Sequence, residues 1–150
     1  MPILFLTVAV VILDQLAKYL VQSKMVMGMS IPIVSNIFHI TYVQNPGAAF
    51  GIFEHRTIFF VIIAVGLFVA ALYFYPKIPQ GYPALRGGIG LLVGGAAGNL
   101  IDRITTGYVT DYLDFRIWPV FNIADMAIVT GVGIIVYMLM YKLDKEDETL

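Results

Sequence analysis

FNIADMAIVTGVGIIVYMLM, residues Phe121–Met140, reads from Met126 onward as part of a membrane span. Asp125 stands at its mouth, and Asn122 lies three residues earlier on the same helical face. An ionisable carboxylate placed at the entrance of an apolar helix is costly in lipid, and such residues usually mark function. The question is what the rest of the chain brings to that entrance.

The composition sets the solvent. The chain has 150 residues, the length of one domain, taken here as residues 1–150. Hydrophobic residues make up 59% and charged residues 13%, and the mean hydropathy is +0.86. A water-soluble fold has too little interior to hide that much apolar surface, whereas lipid removes the difficulty. The net charge of -1 gives no basic field for nucleic acid. With no cysteine there is no disulfide, thiolate nucleophile or Cys-ligated zinc. His39 and His55 are too scattered for a metal site, so the expectation is no metal.

A spanning helix needs about 20 mostly apolar residues. Four stretches qualify: Pro2 to Val21, interrupted by Asp14 and Lys18; Thr57 to Tyr75, free of charge; the region from Leu85, uncharged from Gly87 to Ile101, with Arg86 snorkelling at one end; and Phe121 to Tyr141. The first has neither a basic leader nor an A-x-A-like site, so it is expected to be retained as a helix. Gly90, Gly94 and Gly98 in the third form a small-xxx-small stripe suited to close packing. Between the first two spans, IFHITYVQ (Ile37–Gln44) has strand character and Asn45-Pro46-Gly47 reads as a turn, with AAFGIF (Ala48–Phe53) as the returning strand. The segment from Thr105 to Val120 reads as an interfacial loop with Tyr108, Tyr112 and Trp118. The expected fold is therefore an all-α membrane protein of four transmembrane helices with a small β-sheet between helices 1 and 2. Positive charge leaves the orientation open. Lys77, Arg86, Lys142 and Lys145 lie on the side of the termini, and Lys18, Lys24, Arg56, Arg103 and Arg116 on the other.

Chain direction brings the polar residues together. Asp14 and Lys18, Asn99 with Asp102 and Arg103, Asn122 with Asp125, the Asn45 turn, and Asp111 with Asp114 all fall towards one face of the bundle. Asp14 and Lys18, four apart, read equally well as a neutralising pair or as functional groups. Carboxylates are the catalysts available to such a chain. Two held close cannot both ionise, so one keeps a proton while the other stays charged, as in aspartic proteases. Asp111 with Asp125 is one plausible pair, Asp102 and Asp114 are rivals, and spacing does not choose between them. A small transporter with a carboxylate proton relay is the alternative of another class.

DQLAK (Asp14–Lys18), NPGAAFG (Asn45–Gly51), GNLIDR (Gly98–Arg103), GYVTDYLDF (Gly107–Phe115) and FNIAD (Phe121–Asp125) resemble, in order, the motifs of the bacterial lipoprotein signal peptidase family, signal peptidase II. Each motif alone is weak, but their order over four spans is specific. The resemblance implies an inner-membrane aspartyl endopeptidase that cleaves diacylglyceryl-modified prolipoproteins before the lipidated cysteine, with no cofactor. It implies Asp111 and Asp125 as the catalytic pair. Asp14, Lys18, Asn45, Asn99, Arg103 and Asn122 become supporting or substrate-positioning groups, and Asp102 a structural residue paired with Arg103. It further implies an extracytoplasmic sheet that cradles substrate, both termini in the cytoplasm, an active site towards the extracytoplasmic face, and a monomer in contact with membrane lipid. Pro46 departs from the family's N-x-G-x-A-F pattern, and Tyr112 stands in place of Phe.

Overall fold

An apolar chain in lipid must satisfy its own backbone hydrogen bonds, which favours helices for whatever crosses the bilayer. The protein, a computed structural model, is described over residues 2–47 and 57–140. Four helices carry it: α1 (Pro2–Lys24), α2 (Thr57–Phe74, continued by a 3-10 turn at Tyr75–Lys77), α3 (Pro83–Thr105) and α4 (Ile123–Met138). The first three are long and apolar enough to cross a membrane, while α4 is a shorter apolar helix. Their outward faces are greasy; Phe5, Ile58, Ile62, Leu72 and Val129 are all largely exposed. The third helix is longer than the uncharged run suggests, and Arg86 lies in its first turn, bonded to the Tyr75 hydroxyl and the Ile78 carbonyl.

Helix α3 is the centre of the bundle because its glycines let two helices approach at once. The Gly90, Gly94 and Gly98 stripe faces α1: a Cβ on Gly94 would lie 2.9 Å from the Val10 Cβ, and one on Gly98 would lie 2.5 Å from the Asp14 carboxylate. A second stripe, absent from the sequence reading, faces α4. A Cβ on Gly95 would run into the Ala124 carbonyl oxygen, and one on Gly131 of α4 would sit 2.6 Å from the Gly88 carbonyl oxygen. The order of these contacts makes α1 parallel and α4 antiparallel to α3. The C-terminal ends of α1 and α3 therefore meet the N-terminal end of α4.

A three-stranded antiparallel sheet, β1 (Ser30–Val34), β2 (Phe38–Asn45) and β3 (Val109–Asp114), sits at that end in the order β1-β2-β3. The strand expected at Ile37–Gln44 is β2. Its partners differ from the expectation. The proposed returning strand at residues 48–53 lies outside the described residues, and β2 pairs with β1 and with β3, matching Val43 to Asp111. The stretch expected as an interfacial loop thus holds a strand. Five of the six β3 residues are buried, so the strand lacks the in-out alternation that betrays a half-exposed one. Gly107, at φ +85°, makes the left-handed turn out of α3 that starts it, its N–H bonding back to the Arg103 carbonyl. Tyr112 of β3 packs with Val21, Met25 and Tyr42, which seats the sheet on α1.

Gly95→Ala is expected to destabilise the protein by about 1–3 kcal/mol through overpacking against α4. Gly133→Ala, where an added Cβ meets nothing within 4 Å, should cost no stability, since alanine favours a helix over glycine. Thermal unfolding in detergent compares the two directly.

Candidate active site

The site is assembled from donor-only and acceptor-only groups, which fix the orientation of every amide between them. Lys18 is almost fully buried, and its ammonium can only donate. It lies 2.8 Å from Asp14 Oδ2, 3.1 Å from Asp102 Oδ2 and 2.9 Å from Asn99 Oδ1. Its three protons are thereby used. Because the Asn99 oxygen faces Lys18, its Nδ2 faces the other way and donates to Asp125 Oδ1 at 2.7 Å.

Asn122 is fixed by the same logic. Its Oδ1 accepts from the Asp125 backbone N–H at 2.9 Å, while the Asp125 carboxylate accepts from the Asn122 N–H at 3.3 Å. The pair forms a reciprocal cap on α4, with Asn122 at the N-cap and Asp125 one turn in. The amide nitrogen of Asn122 then points inward, 2.6 Å from Asp111 Oδ1, and also contacts Asn99 Oδ1 and the Thr110 carbonyl. Asp111 Oδ2 accepts from Asn45 Nδ2 at 2.9 Å. Asn45 is locked in turn by the Gly47 N–H, which donates to its Oδ1.

Asp14 Oδ1 accepts from the backbone N–H of Ala124, tying α1 to the first turn of α4. Asp102 contradicts the expected pairing with Arg103. Its carboxylate is held by Lys18, by Gln15 Nε2 at 3.0 Å and by the Thr110 N–H at 2.9 Å. Lys18 rises from α1 into the packed interface with α3, whereas Arg103, next in sequence to Asp102, points off that face. Arg103 donates to the Gly47 carbonyl at 3.1 Å and stacks over the Phe60 ring, 4.4 Å from its centroid. The second rival, Asp114, bonds the Thr41 hydroxyl at 2.7 Å and Arg116 at 3.0 Å on the sheet.

Of the four candidate carboxylates, Asp111 and Asp125 share a cleft. It has a volume of about 600 Å³ between α2, α3, α4 and β3, and it also takes in Asn45, Asn99 and Arg103. Its deeper walls are apolar, including Ile63 and Leu67 of α2, Leu92 of α3 and Val132 of α4. The rivals Asp102 and Asp114 do not line it. Burial, and then the charge of Asp125, push the Asp111 carboxyl up to about 7, against the opposing pull of its bonds to Asn45 and Asn122 and of the Lys18 charge.

Gln15, Thr110 and Phe60 escaped the sequence reading. Gln15 and Thr110 each adjoin a flagged aspartate, and adjacent residues do not share a face, so spacing rules pass over them. Phe60 is one apolar residue among many in a charge-free span.

Asp102→Asn is expected to lose about 1.5–3 kcal/mol of stability, the scale of hydrogen bonds to charged groups, while retaining measurable turnover. Unfolding and activity measured on the same preparation check this. A fully folded, inactive Asp102→Asn protein would return Asp102 to the catalytic candidates.

A family model described as signal peptidase (SPase) II matches residues 6–141. The chain is similar to the lipoprotein signal peptidase of Moorella thermoacetica, 48% identical over 140 residues and 93% of each chain. It is also similar to that of Pelotomaculum thermopropionicum, 49% identical over 146 residues, 97% of this chain and 96% of the relative. A solved bacterial membrane enzyme superposes with a TM-score of 0.88 at 38% identity, over 93% of this chain and 87% of its own.

Proposed function

The chain belongs to the signal peptidase II family, and from that premise we propose that it is an aspartyl endopeptidase that removes the signal peptide from diacylglyceryl-modified prolipoproteins, cutting before the lipidated cysteine. The observation that carries the reading is the shared cleft of Asp111 and Asp125, polar at the carboxylates and apolar along the helices. An apolar signal helix suits the deep walls, and the scissile bond then lies at the carboxylates. The whole chain acts as one integral membrane peptidase domain, a monomer in lipid with no cofactor and no nucleic-acid partner. All four helices span the bacterial inner membrane, with both termini cytoplasmic and the sheet and active site extracytoplasmic.

The two carboxylates take different roles because their surroundings differ. Asp125 sits at the positive end of a helix and accepts from Asn99 and from a backbone N–H, which favours its charged form. Asp111 is buried, faces that charge and keeps the shared proton near neutral pH. In the reaction Asp125 takes a proton from water as the oxygen attacks the scissile carbonyl carbon. Asp111 donates its proton to the carbonyl oxygen. When the tetrahedral intermediate collapses, Asp125 returns a proton to the departing amine and Asp111 recovers one from the geminal hydroxyl, so the pair ends as it began.

Cleavage of a lipidated prolipoprotein in detergent, read by gel shift, tests the reading. Wild type is expected to cleave lipidated precursor and to leave unlipidated precursor intact. Folded Asp111→Asn and Asp125→Asn should each lose at least about a thousandfold, the scale of removing a member of a catalytic set. Failure of a folded wild type across lipids and detergents would contradict the reading.

The pH profile should be bell-shaped. Activity requires the proton on Asp111, so it falls as pH rises through about 7. It falls again in acid as the base, Asp125, becomes protonated. A rate independent of pH from acid to mildly alkaline conditions would contradict the shared proton.

A further inference from the structure

Phe60 of α2 lines the cleft that holds both aspartates, and it stands at the start of an unbroken path to one of them. Its ring lies under the Arg103 guanidinium, at 4.4 Å. Arg103 Nη2 donates to the Gly47 carbonyl at 3.1 Å. Gly47 donates its N–H to Asn45 Oδ1 at 2.9 Å, and Asn45 Nδ2 donates to Asp111 Oδ2 at 2.9 Å. Each link is directional, and each group has its next partner already assigned.

The ring matters because Arg103 has stronger partners within reach of its field. The carboxylates of Asp125, Asp111 and Asp102 all act on it electrostatically, but none forms an ion pair with it among the described residues. An aromatic face holds a planar guanidinium flat by its quadrupole, and it does so more strongly where water is scarce. Without that face, a flexible cation beside two carboxylates is drawn towards them. It would then release the Gly47 carbonyl, loosen the Asn45 turn and neutralise the charge on which proton sharing depends.

The position of Phe60 adds a second consequence. Helix α2 is the least buried wall of the cleft, with Ala64 its one buried residue, and it is tied near its start by the Phe60 stack on Arg103 of α3 and by the Thr57 hydroxyl on the Gly107 carbonyl just beyond α3. The Phe60 stack thus joins this wall to the chain of bonds that ends at Asp111.

We propose that Phe60 is a positioning residue for peptide-bond cleavage: its ring holds Arg103 away from the aspartates and on the Asn45–Gly47 turn that seats Asp111. The proposal rests on the peptidase reading above. Its test is steady-state cleavage of a lipidated prolipoprotein by Phe60→Leu, Phe60→Trp and Phe60→Tyr, with thermal unfolding as the control for folding. Phe60→Leu keeps an apolar side chain and loses the π face; kcat should fall about five-fold, the rate equivalent of an ordinary cation–π contact, with KM changed by less than about two-fold. The two aromatic variants should stay within about two-fold of wild type. Should Phe60→Leu fail to fold, Phe60→Met carries the same expectation. A wild-type kcat in Phe60→Leu, a loss confined to KM, or equal losses in the aromatic variants would overturn the proposal and leave Phe60 as lining of the groove. Absence of cleavage by the wild type would overturn the peptidase reading and this proposal with it.

Discussion

One ammonium group organises the polar end of this bundle. Lys18 has three protons, and Asp14, Asp102 and Asn99 take one each. A lysine this deeply buried is tolerable only when paired and fully hydrogen-bonded. Here the pairing joins α1 to α3, and Asp14 carries it on to α4 through the Ala124 N–H. The cost of burying these charges is offset only when all three helices stand in register. That requirement gives the glycine stripes of α3 their purpose. A Cβ on Gly98 would collide with the Asp14 carboxylate, and one on Gly95 with the carbonyl of Ala124.

The same group sets polarity at a distance. Because Lys18 can only donate, Asn99 must turn its nitrogen towards Asp125. The backbone N–H of Asp125 likewise obliges Asn122 to turn its nitrogen towards Asp111. Asp111 thus receives two amide donors at its two oxygens, from Asn45 and Asn122, without a cation in direct contact. The amides orient the carboxylates while keeping the positive charges out of the cleft's centre. Among the described residues neither acid of the cleft forms an ion pair, although the site also contains a lysine and an arginine.

Much of this was legible in the sequence. The spans appear as apolar runs, and chain direction alone gathers the motifs at one end. The pair Asn122 and Asp125 was readable as a shared face, and its capping role follows from that spacing. Other features were hidden for physical reasons. The strand β3 was obscured because Thr110, Asp111 and Asp114 are polar residues buried for their bonds, which erases the alternation that marks strands. The α4-facing glycines Gly88 and Gly95 were lost among a crowd of glycines whose partners only the packed bundle reveals. Asp102 was misassigned to its neighbour Arg103, since adjacency in sequence says little about which face a helical side chain takes.

The central claim is that the two aspartates share one proton, held on Asp111. Infrared spectroscopy with an isotope label in the carboxyl group of Asp111 in one sample, and of Asp125 in another, measures it most directly. At mildly acidic pH the account predicts a label-shifted protonated carboxyl band for Asp111, lost as pH rises through about 7, and an ionised carboxylate band for Asp125. A protonated band that shifts with the Asp125 label, or ionised bands for both residues at that pH, would contradict it.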